Sequence, residues 1–202
     1  MNGRLCWLVL LPALWLSGCG SAGVVPEDRF YRLADPAAGK AVPRPVLEQV
    51  LVAPFRGPAI YRERAILHAD AAEPLRLRRH HYHFWADPPP VLLARQLARY
   101  LEDTGLAGQA RVGEGDARYR VRGVLSHFEQ IYRPGGVSVR VGMQLTLEDR
   151  TTGRTLYSES FEEARDASGG RVYETVEAFS DAVAAIYRRF GERLARLGDG
   201  NG

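Results

Sequence analysis

The clearest periodic signal lies in the middle of the chain, where Val139, Val141, Met143, Leu145 and Leu147 alternate with Arg140, Gly142, Gln144, Thr146 and Glu148. A two-residue period places the apolar set on one face and the polar set on the other, which predicts a half-buried antiparallel strand. Tyr119 to Leu125 alternates in the same way, and Thr155 to Phe161 follows the turn-forming run Asp149 to Gly153. Together the three segments predict a meander. Further on the period lengthens: Val176, Phe179, Val183, Ile186, Tyr187, Phe190, Leu194 and Leu197 recur at steps of three and four, with Glu177, Asp181, Arg189, Glu192 and Arg196 elsewhere. That spacing predicts an amphipathic helix over 173–197. Its polar face mixes both signs of charge, which favours burial on the domain's own sheet over a helix lying on a membrane.

The first half of the chain is shorter in its elements. Phe30 to Leu33, Val50 to Val52, Ala65 to His68 and Leu75 to Trp85 read as strands, the first two separated by a connection containing Pro36, Pro43 and Pro45. Asp87 precedes Pro88-Pro89-Pro90, and Leu93, Leu97, Tyr100 and Leu101 then recur at helical spacing until Gly105. This predicts a helix over 88–105 with Asp87 as its capping carboxylate. The fold class expected is α+β: one domain over 29–197, with a mixed or mainly antiparallel sheet packed by two main helices, followed by a flexible tail over 198–202. The chain contains no internal repeat.

The N-terminus carries a different pattern. Arg4 is followed by the uncharged run Leu5 to Leu16, and then by Ser17, Gly18, Cys19, Gly20 and Ser21. A membrane-spanning helix needs about 20 apolar residues, so this run has the length of a signal-peptide core and not of a span. Leu16-Ser17-Gly18-Cys19 fits the pattern of the bacterial lipoprotein pathway, in which two small residues admit the peptidase and the cysteine sulfur takes a diacylglycerol. Residues 1–18 are therefore expected to be a signal peptide, with Cys19 lipid-modified by fatty acids such as palmitate and 19–28 a lipidated tether. Cys6 leaves with the signal peptide, which gives Cys19 no disulfide partner in a compartment that permits disulfides. Gly20, where an Asp would retain the protein at the inner membrane, predicts the periplasmic face of the outer membrane.

Composition narrows the functional classes. The net charge is +3, with basic residues scattered among acidic ones, so no nucleic-acid footprint is present. The sequence holds no G-x-S-x-G, H-E-x-x-H or C-x-x-C, and Lys40 lacks the rest of a phosphate-binding loop. No catalytic residue, cofactor or metal site is assigned. One cluster remains, His80-His81-Tyr82-His83, in which His81 and His83 would share a strand face and present two imidazoles to a borderline metal. Two ligands do not complete a site, and rings that cover a sheet edge or pack on Arg78 and Trp85 are the commoner arrangement. Glu162-Glu163 reads as a solvated strand end.

Several of these pieces in order resemble a known family. Phe30-Tyr31-Arg32-Leu33, Val50 to Phe55, Pro58-Ala59-Ile60-Tyr61-Arg62, and Tyr82 to Pro89 followed by Leu92-Leu93 and a helix are similar to the ABC-transport auxiliary lipoproteins of the PqiC type. The likeness extends over residues 29 to 196, while the segment Arg64 to Glu73 and the Arg- and His-rich strand Leu75 to His83 fit it less tightly. The resemblance implies a non-enzymatic lipoprotein subunit of an intermembrane phospholipid transport system that supports membrane integrity. Its implied partners are an ABC transporter or permease and a mammalian-cell-entry (MCE) domain protein, whose tube it docks to the outer membrane. It also implies a homo-oligomeric ring. Tyr61, Arg62 and Trp85 are the expected partner-binding residues, since Tyr, Trp and Arg are the side chains most enriched at binding hot spots. The alternative is a lipoprotein that carries lipid, or assists outer-membrane assembly, through an apolar groove.

Overall fold

The structure, a computed structural model, describes residues 26–36 and 42–199. The signal peptide, Cys19, most of the tether and the last three residues lie outside the described residues. The element order is β1 (Arg29–Tyr31), β2 (Leu47–Val52), β3 (Ala65–Asp70), β4 (Glu73–Trp85), α1 (Pro89–Asp103), β5 (Ala107–Val112), β6 (Tyr119–Arg133), β7 (Gly136–Asp149), β8 (Arg154–Asp166) and α2 (Val172–Asp199). All eight strands join one mixed sheet, and the two helices complete an α+β domain.

The meander is present: β6 pairs antiparallel with β7, and β7 with β8. Asp149 makes the second turn, its Oδ1 accepting the amides of Thr151 and Thr152 at 2.9 and 3.3 Å. The other edge of β6 is divided. Its first residues pair in parallel with β2, at Val50 to Val52, and its last residues pair in parallel with β3, at Leu67 to Asp70. Beyond β2 lies β5, and beyond β3 lie β4 and then β1, again in parallel at Arg29 to Tyr31. Parallel pairs need crossovers, and here the long excursions through α1 and the hairpins supply them.

Both helices cover the same face. The α2 stripe is fully buried at Phe179, Val183, Ile186, Tyr187, Phe190 and Leu194, and α1 buries Leu93, Leu97 and Leu101. Tyr187 ties the two together by donating its hydroxyl to the Leu93 carbonyl at 2.8 Å. Gly191 sits at their crossing, where a Cβ would meet Tyr100 and Leu106 at 2.8 Å. On the opposite face β6, β7 and β8 present Arg122, Gln144, Thr146 and Ser158, as their alternation predicts.

Three expectations change. Asp87 does not cap α1: the N-cap is Pro88, no side chain bonds to the helix start, and Asp87 instead pairs with Arg95 at 2.7 Å. The reason is the proline run, since Pro88, Pro89 and Pro90 have no amide hydrogens and so remove the donors a cap would satisfy. The last helix runs to Asp199, past the expected start of the tail at 198. Between β4 and β6 there is an additional strand, β5, lying parallel to β2.

Candidate docking surface

Tyr61, Arg62 and Trp85 come together around the start of β3. Pro58 leads into a short 3-10 helix, Ala59–Arg62, that crosses from β2 toward β3. Tyr61 points inward and is 3% exposed. Its hydroxyl donates to Glu129 Oε2 at 2.7 Å and reaches the Ser126 carbonyl at 3.3 Å. Burial and the adjacent Glu129 charge push the phenol well above its usual range. Glu129, itself buried, also accepts the Phe128 amide at 2.6 Å and faces His127 Nδ1 at 2.9 Å.

Trp85 is 1% exposed. Its ring lies 5.2 Å from both Phe128 and Phe179, edge to face with the latter, so it fixes α2 against the sheet. Its amide donates to the Arg64 carbonyl at 2.6 Å. The rings of Tyr61 and Trp85 are thus interior supports, and neither is offered to a partner. Burial of this aromatic pair is set by the sheet's other strands, which the local sequence does not display.

What the supports hold at the surface is Arg62-Glu63-Arg64, all exposed. Among the described residues Arg62 makes no salt bridge, while Glu63 pairs with Arg79 at 2.8 Å and Arg64 lies 5.2 Å over the Phe30 ring. Of the three residues expected to dock a partner, Arg62 alone is exposed.

The histidines assemble differently from the expected pair. The register between β3 and β4 shifts between Ala65 and Leu67, so the ring that faces His83 is His80, at 5.4 Å, with His68 of β3 a further 4.7 Å from His80. His81 lies nearest Tyr82 instead. His80 Nε2 is 2.7 Å from Gln130 Oε1, and His83 Nδ1 is 2.8 Å from the Tyr31 hydroxyl. Burial lowers the pKa of His68 and His83, helped by the charge of His80 and of Arg78 and Arg29 respectively. Among the described residues no three His, Cys, Asp or Glu side chains converge as a metal site.

Glu162 and Glu163 point to opposite faces of β8. Glu162 meets Arg140 at 2.6 Å, and Glu163 meets Arg189 of α2 at 2.8 Å. They form no carboxylate pair. No helix among the described residues is long and apolar enough to cross a membrane.

Residues 31–190 match the family described as ABC-type transport auxiliary lipoprotein component. The chain belongs to that family. Among solved structures it is similar to protein XCC0632 from Xanthomonas campestris, of the family DUF330, at 19% identity and a TM-score of 0.75, over 86% of this chain and 98% of that one. A second crystal structure, of an uncharacterized protein, matches at 13% identity and a TM-score of 0.67, over 84% of this chain and 99% of that one. At these identities the two structures share the fold of this auxiliary lipoprotein. Comparison with curated proteins finds no significant match.

Proposed function

We propose that this auxiliary lipoprotein is a non-enzymatic, lipid-anchored subunit of an intermembrane phospholipid transport system, docking an MCE-type tube to the periplasmic face of the outer membrane. The observation that carries the reading is the filled interior. Between sheet and helices, where a lipid carrier needs an apolar cavity, Trp85, Phe128 and Phe179 pack within 5.2 Å of one another and Phe190 closes the far side against Tyr157 and Phe161. A cleft of about 380 Å³ on the opposite sheet face is polar, lined by Arg56, Arg120, Arg122, Glu114 and Gln144. Such a molecule acts through its surfaces, and Cys19 at the end of a short tether holds those surfaces near the bilayer.

The docking residue is Arg62. Arg62→Glu should reduce co-purification with the MCE protein by about 2 kcal/mol or more in affinity while leaving the melting temperature unchanged, because the side chain is exposed. Unchanged co-purification removes this surface from the reading.

A further inference from the structure

The hairpin strand β4 leaves most of one edge uncovered among the described residues. Residues 73–82 are exposed or half-exposed on both faces of the strand. The opposite side of β4 pairs with β3, but on this side β1 covers only His83 to Trp85. We propose that this edge is a second membrane contact, seating on an anionic lipid surface beside the acyl chains of Cys19. The inference rests on the lipid anchoring proposed above and adds to it a fixed orientation.

Charge supplies the first argument. Arg29 and the segment from Arg62 to Trp85 contain six arginines, Arg29, Arg62, Arg64, Arg76, Arg78 and Arg79, against three carboxylates, Glu63, Asp70 and Glu73, while the exposed Glu27 and Asp28 precede Arg29. Four of the chain's five histidines lie in the same segment. Arg76 and Arg78 share the single carboxylate of Glu73, at 3.2 and 3.0 Å, and Arg79 uses Glu63. Exposed pairs of this kind are weak, so the guanidinium groups exchange readily onto lipid phosphates, which they grip with several donors at once.

Apolar exposure supplies the second. Leu75 at the hairpin tip is 99% exposed, and Phe30 and Tyr82 stand out at 53% and 38%. Basic residues interleaved with a fully exposed leucine and two aromatic rings match the boundary between headgroups and acyl chains.

The third argument is directional. β1 runs parallel to β4, so the chain preceding Arg29 approaches from the Leu75 end of the edge. From His83 back to Leu75 is eight residues, about 26 Å of strand. From Arg29 back to Cys19 is ten residues, which span at most about 35 Å. A leash of that length reaches past the hairpin tip and so allows it to touch the bilayer that holds the anchor, and tethering turns a weak surface affinity into a populated contact.

The test uses the full lipidated protein carrying Leu75→Cys with a spin label, reconstituted into phosphatidylethanolamine–phosphatidylglycerol vesicles, with a second sample labelled at Tyr173→Cys as the reference exposed site. The Leu75 label should collide several-fold less with a water-soluble paramagnetic reagent than the Tyr173 label does. The protection should vanish in pure phosphatidylcholine vesicles, in high salt, and in the triple variant Arg76→Glu, Arg78→Glu, Arg79→Glu with an unchanged melting temperature. A Leu75 label as accessible as the reference overturns the proposal. So does protection that persists without anionic lipid, since a second copy or a protein partner then covers the edge. Mass spectrometry of the mature N-terminus separates the two readings: acyl chains present with an accessible Leu75 sinks this inference alone, while their absence sinks the anchor itself.

Discussion

Tyr61 donates its hydroxyl to Glu129 across 2.7 Å in an interior where both residues are less than 5% exposed. The bond joins the 3-10 helix that presents Arg62 to the central strand β6. Tyr61→Phe keeps the ring and removes one donor from a buried carboxylate, which should cost about 1–3 kcal/mol of stability. Chemical denaturation of the two forms measures this. A variant as stable as the wild type means that Glu129 is satisfied without Tyr61.

Phe190 tests the packing of α2. It has no exposed surface, and Phe190→Ala should cost about 3–5 kcal/mol, enough to unfold a domain of ordinary stability. Melting within a degree or two of the wild type would mean that the helix does not depend on the sheet.

Acid should loosen the end of the sheet where the histidines meet. His68 and His83 have folded-state pKa values below the ordinary 6.5, through burial first and then the neighbouring His80 and arginine charges. In that window the unfolded chain binds more protons, so stability is full above the ordinary value and declines as the pH falls below it. The melting temperature should therefore drop between about pH 7 and pH 5, and His83→Gln should flatten the slope. Parallel slopes for variant and wild type would assign the acid sensitivity to other groups.

Anchoring is read at Cys19. Cys19→Ala should leave unprocessed precursor or soluble periplasmic protein, because buried methylenes at about 0.8 kcal/mol each supply nearly all the membrane affinity of a lipoprotein. Fractionation after labelling with a radioactive fatty acid decides the matter. Label retained in the variant, or none in the wild type, contradicts the assignment.

The elements that could be read from the chain are those whose own residues carry a period. β7 and α2 alternate with two-residue and helical steps and were recognisable outright. β5 was not, because Ala107 and Ala110 are its buried positions, too small and wrongly spaced to signal a strand. The far half of β6 was missed because Glu129 and Gln130 are buried polar residues that interrupt its alternation; partners on other elements, Tyr61 and Thr175, make their burial tolerable. The surroundings of Tyr61, Arg62 and Trp85 were legible as a neighbourhood and not as a set of contacts. Residue type singled out Tyr61, Arg62 and Trp85, but which of them face solvent depends on Phe128, Glu129 and Phe179, more than forty positions away. The histidine geometry was hidden in a register shift that no local pattern announces.

The divided edge of β6 also sets a timetable for assembly. β2 and β3 each have a long-range parallel mate in β6, at Val121 and at Gln130 respectively. Until synthesis has passed Arg133, the β3–β4 hairpin and the β2 strand share no ladder and have nothing to hold them in one sheet. Such distant pairings form late and leave apolar strands open meanwhile. A single fifteen-residue strand joins both halves and offers its remaining edge to β7.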